Sequence, residues 1–279
     1  MIRRSPAKIN LGLLIKRKRM DGFHDLQSLV LPVPFYDLLE IIPSGSQDQK
    51  LKFSQTGEEA DIPSDRNLCI KAFRLFSEHA EPGSIQMHLH KQIPAGAGLG
   101  GGSSNASTVL EMLNELTGCP LSSEKIEKMA AELGSDCPLF LHKKPMLMEG
   151  RGDILSDIRL DLGGHYLCIL NPGMAISTAH AYSLITPSDS ALQLTDALSQ
   201  PISSWKDTLV NDFEAPIFKE FPAIQSLKEG LYSAGAVYAS MSGSGASVYG
   251  IFETPPKLPE GLKKKIAWQG HLVPVSCTL

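Results

Sequence analysis

The sequence predicts an α+β fold arranged in two domains, and three observations predict it. Five glycines within seven residues, Gly96 to Gly102, sit between an alternating strand and an amphipathic helix. Strand-like and helix-like segments of ordinary length succeed one another along the whole chain. The character of the sequence changes after Leu160, so the core of a 279-residue chain with 42% hydrophobic content divides in two.

The elements follow in order from local pattern. Ile9 to Ile15 reads as a strand, and Leu26 to Ile42 as extended segments broken by Pro32 and Pro34, since proline cannot donate to a ladder. Gly45 to Gly57 is polar and reads as a hairpin tip. Leu68, Ala72, Leu75 and Phe76 recur at helical spacing, giving a helix over Leu68 to His79. Ile85, Met87 and Leu89 alternate with Gln86, His88 and His90, a half-buried strand that delivers the chain into the glycine run. The next helix buries Val109, Met112, Leu113 and Leu116 and stops at Gly118. Ser122 caps another, carrying Ile126, Met129, Ala130 and Leu133 and ended by Gly134. Ser135-Asp136-Cys137-Pro138 opens a third, where proline suits the first turn.

Glu149 to Asp153 reads as a tight turn between strands, and the boundary near 154–163 gives domains 1–157 and 158–279. The second domain has strands over Tyr166 to Leu170, Ser247 to Phe252 and His271 to Val275. Its helices are marked by Ile224, Leu227 and Leu231, ending at Gly235, and by Leu262 to Trp268.

Charge and cysteine usage remove several classes of function. A net charge of −4 and a pI near 6.1 argue against a dedicated nucleic-acid or anionic-membrane binder. The dense basic run Lys16 to Arg19 reads as a solvated loop. Five scattered cysteines without a C-x-x-C pair favour neither a disulfide framework nor zinc. Arg3 and Arg4 precede an apolar stretch, but Lys8 and Asn10 interrupt it and no small-residue cleavage site follows. No run is long and apolar enough to span a bilayer, so a cytoplasmic protein is expected.

The glycine run carries the chemistry. Glycine lets successive backbone N–H groups turn inward and form a nest for anionic oxygens, and the following helix aims its positive dipole end at the same point. Pro94 to Ser104 is therefore a phosphate cradle rather than a linker. It is no Walker P-loop, because Gly102 rather than lysine precedes Ser103. Gly96, Gly98 and Gly101 satisfy the dinucleotide pattern G-x-G-x-x-G, yet no acidic residue closes a second strand at the required distance. That reading stays second.

Elsewhere the residues are less specific when taken singly. A nucleophile elbow and H-x-x-x-H spacing are both absent. Lys8, among small and apolar residues at a strand start, reads as a solvated edge lysine, and Asp136 as a helix cap.

Their combination says more. Pro6-Ala7-Lys8-Ile9-Asn10-Leu11, Pro94 to Ser104 and Ser242-Gly243-Ser244-Gly245 resemble, in order and spacing, the three motifs of the GHMP small-molecule kinases. The resemblance covers the full length. It implies an N-terminal ribosomal-protein S5 domain 2-like domain and a C-terminal ferredoxin-like α/β domain. It also implies ATP, with Mg²⁺, bound on Pro94, Ala95, Gly96, Ala97, Gly98, Leu99, Gly100, Gly101, Gly102, Ser103 and Ser104, and Asn67 near the adenine. Asp136 and Lys8 match the family's catalytic aspartate and lysine. Ser104 is the one protein group that suits the metal, the family glutamate having no counterpart here.

Asp21-Gly22-Phe23-His24, Gly134 to Pro138 and Asn171-Pro172-Gly173 are similar to the branch of that family acting on a cytidylated alcohol. This implies cytosine stacked between Phe23 and Tyr182, His24 on the base edge and Asn10 on the polyol. Phe23 stands where that branch has tyrosine, which keeps the π face and loses a hydroxyl. The expected partner is thus a small molecule, not nucleic acid or membrane. Another GHMP kinase, of homoserine or mevalonate type, and a non-catalytic RNA-binding module are the competing readings. The acidic pI weighs against the last.

Overall fold

The computed structural model describes residues 1–45, 49–58, 63, 65–187 and 193–273. They form two compact units, and each is assembled from separated stretches of chain. Unit 1 comprises Met1–Ala7, Phe35–Ala95 and Gly100–Lys143; unit 2 comprises Lys8–Pro34, Gly96–Leu99 and Lys144–Leu279. Two long strands, β1 (Ile2–Lys18) and β2 (His24–Pro43), run through residues of both.

Unit 1 adds β3 (Leu51–Gly57), α1 (Leu68–Ser77), β4 (Ile85–Lys91), α2 (Gly101–Leu116), α3 (Ser123–Leu133) and α4 (Cys137–His142). β4 pairs antiparallel with the Leu38–Pro43 end of β2 and parallel with β3. The alternation read from the sequence holds: Ile85, Met87 and Leu89 enter the core with Leu39 and Ile41, against Phe73 and Phe76 of α1 and Val109 and Leu113 of α2. Capping is also as expected at α3, where Ser122 Oγ accepts from Lys125 N. Proline stands in the first turn of α4.

Unit 2 adds β5 (Met146–Gly150), β6 (Ile154–Asp157), β7 (Tyr166–Leu170), α5 (Thr178–Ser183), α6 (Leu194–Leu198), α7 (Trp205–Thr208), α8 (Glu214–Glu220), α9 (Pro222–Ser233), β8 (Tyr238–Met241), β9 (Val248–Phe252), α10 (Glu260–Lys263) and β10 (Ile266–His271). β5 pairs with the Leu26–Val30 part of β2 and with β6. The second sheet is antiparallel in the order β10-β7-β9-β8, with α9 packed on β8 and β9 through Ile224, Leu227 and Leu231. Helices intervene between β7 and β8 and between β9 and β10, the ferredoxin-like arrangement.

Three sequence expectations are corrected. Pro32 and Pro34 do not break β2, which also pairs with β1; they lie between the stretch paired with β5 and the stretch paired with β4, and neither of those two ladders asks for their missing N–H. Leu51 to Gly57 is the strand β3, not part of a hairpin tip, because the exposed edge of β4 offers it a parallel partner. Residues 46–48 of that expected tip lie outside the described residues. The helix expected to reach Trp268 ends at Lys263, and Ile266 to His271 pairs with β7 instead. A ladder of backbone bonds there outweighs a weak helical period. Of the expected closing strand His271 to Val275, residues 274 and 275 lie outside the described residues.

Candidate active site

The glycine loop is built as an anion nest. Gly96, Gly98 and Gly100 take φ of +64°, +78° and +68°, so alternate residues adopt a left-handed conformation that side chains resist. Four consecutive carbonyls of the loop are spoken for. Ala97 O accepts from Ser247 N at 3.1 Å, Gly98 O from Ser242 Oγ at 2.9 Å, Leu99 O from Lys8 N at 2.9 Å and Gly100 O from Ser104 N at 2.9 Å. Its N–H groups are not: from Ala95 to Ser103 none reaches an acceptor among the described residues. A turn with four successive acceptors filled and its donors open has the character of an anion nest.

Gly102 tests that fit. It is exposed, its φ is not positive, and a Cβ built on it would meet only Leu68 Cδ1 at 3.7 Å. The fold therefore does not require glycine there. Gly102→Ala is expected to fold with parent stability yet bind nucleotide about ten-fold more weakly, since a methyl group would cover the open first turn of α2. Unchanged affinity in a titration would remove the phosphate from this turn.

Lys8 is buried rather than solvated, at 5% exposure, and this corrects its reading as an edge lysine. Its Nζ donates to Asn10 Oδ1 at 2.5 Å; Asn10 Nδ2 donates to Ser28 Oγ at 2.8 Å, and Asn10 O accepts from Tyr249 Oη at 2.7 Å. The small-residue turn Ser242 to Gly245 comes to the same place. A Cβ on Gly243 would stand 3.3 Å from both Lys8 Nζ and Asn10 Oδ1 and 3.5 Å from Gly98 O. Asn211, unmarked by the sequence reading, secures that turn by donating to Met241 O and Gly243 O at 2.8 and 2.9 Å. Three motifs far apart in the chain thus meet within unit 2.

Asp136, in unit 1, occupies the N-cap position of α4, but its side chain makes no cap bond and its backbone is already helical, φ −82° and ψ −13°. Capping does not explain this aspartate. Beside it, burial pushes the Cys137 thiol up to about 11, and burial pushes Cys69 and Cys168 up to about 12, so all three are inert as nucleophiles.

The remaining expected site residues fall as follows. Asn67 is buried and caps α1, its Oδ1 accepting from Cys69 N at 2.9 Å. Ser104 is fully buried, with its hydroxyl on Ser5 Oγ at 2.8 Å. His24 stacks on Tyr182, with ring centroids 5.0 Å apart at 24°, and Phe213 meets Tyr182 edge-on at 4.9 Å. Phe23 is exposed with the Arg151 guanidinium 5.1 Å from its ring centroid. The ring in direct stacking contact with Tyr182 is that of His24. Burial, and then the Lys18 charge, lower His24 below 6.5, leaving a neutral imidazole at pH 7. Among the described residues no group of three or more His, Cys, Asp or Glu side chains stands ready for a metal ion.

This fold, with its glycine nest opening a helix and its second small-residue turn, defines a class. The chain matches the family models described as the GHMP kinases N terminal domain, over residues 67–144, and the GHMP kinases C terminal, over 191–264. It is 40% identical over 268 residues to a 4-diphosphocytidyl-2-C-methyl-D-erythritol kinase of Parabacteroides distasonis, covering 95% of this chain and 97% of that one. A crystal structure of a 4-(cytidine 5'-diphospho)-2C-methyl-D-erythritol kinase superposes with a TM-score of 0.82 at 30% identity, covering 98% and 99% of the two chains. The homoserine kinase of Cytophaga hutchinsonii, at 18% identity and a TM-score of 0.63 over 93% of this chain and 87% of that one, shares the fold alone. The chain belongs to the GHMP kinases and, within them, to the family of 4-diphosphocytidyl-2-C-methyl-D-erythritol kinases.

Proposed function

We propose that the chain transfers the γ-phosphoryl group of ATP to the 2-hydroxyl of 4-diphosphocytidyl-2-C-methyl-D-erythritol. The products are the 2-phosphate and ADP, a step of the non-mevalonate route to isoprenoid precursors. The observation that carries this reading is the meeting of Lys8, Asn10 and Gly98 at Gly243, beside a loop whose N–H groups lack acceptors among the described residues. Residues 1–157 and 158–279 are the two kinase domains in this reading, and Pro94 to Ser104 hold the phosphates, with Asn67 toward the adenine.

Phosphoryl transfer is chiefly a matter of positioning and charge. Asp136 takes the proton of the attacking hydroxyl as the new O–P bond forms and the bond from Pγ to the bridging oxygen breaks, releasing ADP. Lys8, a buried cation where the Walker lysine is missing, offsets the charge that develops on the transferring group. Mg²⁺, when bound with ATP, neutralises phosphate charge. The Ser104 hydroxyl is buried on Ser5 Oγ, so phosphates and water would supply most of the ligands to the ion. Phe23, His24 and Tyr182 take the cytosine end and Asn10 the polyol. The neutral His24 ring offers the base edge one donor and one acceptor. With no helix among the described residues long and apolar enough to cross a membrane, the site of action in this reading is the cytoplasm.

ADP release by the purified chain, with Mg-ATP and with or without the cytidylated acceptor, tests the proposal. Acceptor-dependent turnover with phosphate on O2 is expected; ATP binding without turnover would send the search to homoserine and mevalonate. His24→Ala should raise the acceptor KM about ten-fold or more and leave the ATP KM within two-fold, because only one substrate carries a base to be read there. Equal effects on both would overturn the cytosine assignment. In the parent enzyme the acceptor KM should stay flat above pH 7 and rise as pH falls through the lowered pKa of His24, where the imidazole acquires a second proton and loses its acceptor.

A further inference from the structure

A single buried carboxylate ties down both ends of the glycine loop. Asp37, on β2, is fully buried and takes four donors. Its Oδ1 accepts from Gln92 N at 2.7 Å and Ile93 N at 2.8 Å, the two residues before Pro94. Its Oδ2 accepts from Asn105 Nδ2 at 2.9 Å, in the first turns of α2, and from Lys91 Nζ at 2.5 Å. Asn105 Nδ2 also donates to Ser5 Oγ at 3.0 Å, and Ser5 in turn meets Ser104 and Thr108, so α2 is anchored by a polar layer inside unit 1. Lys91 is itself buried, at 4% exposure, and a Cβ on Gly101 would stand 2.8 Å from its Nζ. That contact explains why the first residue of α2 is glycine.

From this arrangement we infer that Asp37 is a positioning residue for nucleotide binding. Charge-paired by Lys91, it holds the strand entering the loop and the helix leaving it at a fixed separation before any ligand arrives. A loop of many glycines has much conformational freedom to lose on binding, and closing its two ends in advance removes part of that cost. A carboxylate with four donors is the group best suited to the task, since each charged hydrogen bond in a dry interior is stronger than its neutral equivalent. The inference rests on the reading of this loop as the ATP site.

The test is calorimetric titration of the full chain with a non-hydrolysable ATP analogue, beside the acceptor KM. Asp37→Asn alone strands a buried ammonium, so the pair is removed together as Asp37→Asn with Lys91→Met, and Asn105→Ala serves as the milder variant. The double variant should bind the analogue about ten-fold more weakly and Asn105→Ala about three-fold, with the acceptor KM within two-fold of the parent. Parent affinity in either variant once folded would overturn the inference. Failure of the parent itself to bind the analogue would instead overturn the assignment of the loop. Hydrogen exchange of the unmodified protein decides the matter without any variant: the Gln92 and Ile93 amides should be slow without nucleotide. Fast exchange that slows only on ATP binding would mean the ligand, not Asp37, closes the loop.

Discussion

Asp136→Asn is expected to lower kcat by about a thousand-fold while ATP affinity stays within two-fold, the size of effect that follows loss of a general base. The substitution keeps the shape and one oxygen of the side chain and removes its ability to take a proton at neutral pH. No cap bond to α4 is lost, because the side chain makes none. This separates the two roles the residue can have. A cap would register in the melting temperature and leave turnover alone; a base would do the reverse. Retention of most activity in a folded Asp136→Asn enzyme would assign the proton to another acceptor.

Gly98→Ala should cost both fold and function. The residue sits at φ +78°, and its new Cβ would stand 2.1 Å from Ser242 O and 2.9 Å from Gly245 O. Those neighbours are backbone, so the turn 242–245 has to move away, and with it the Gly243 contact to Lys8 and Asn10. Strain of this kind amounts to about 3 kcal/mol. The expected result is a melting temperature lowered by several degrees and acceptor-dependent turnover reduced to background. The contrast with Gly102→Ala, where only ligand binding should suffer, distinguishes a glycine the fold needs from one the ligand needs. A Gly98→Ala enzyme with parent stability would show that the two turns do not pack as described.

Much of this was legible without coordinates, for identifiable reasons. Local pattern is enough for β4, α2 and α3, whose apolar periods and caps agree with their surroundings: Ser122 does cap α3, and Ile85, Met87 and Leu89 do face the core. The glycine loop was legible because its chemistry resides in the backbone, which residue type alone constrains. Asp37 and Lys91 went unnoticed, although a carboxylate in the apolar run Phe35 to Leu39 was the available signal. A charge in such a run is informative only once its partner is known, and Lys91 lies 54 positions away.

The sequence by itself determined where many of the chain's turns fall, which faces are apolar, and that one glycine-rich loop can turn its N–H groups away from the protein's own acceptors. These depend on residues within a turn or two of each other. Tertiary structure decided what depends on distant partners. It made β3 and β10 strands by offering them edges to pair with, and let β2 pass through two prolines that lie between its β5 ladder and its β4 ladder. It also buried Lys8 on Asn10 and set Gly243 against both. A hydrogen-bond ladder or a buried ion pair is a relation between segments that local pattern does not link, so only the folded chain brings its two halves together.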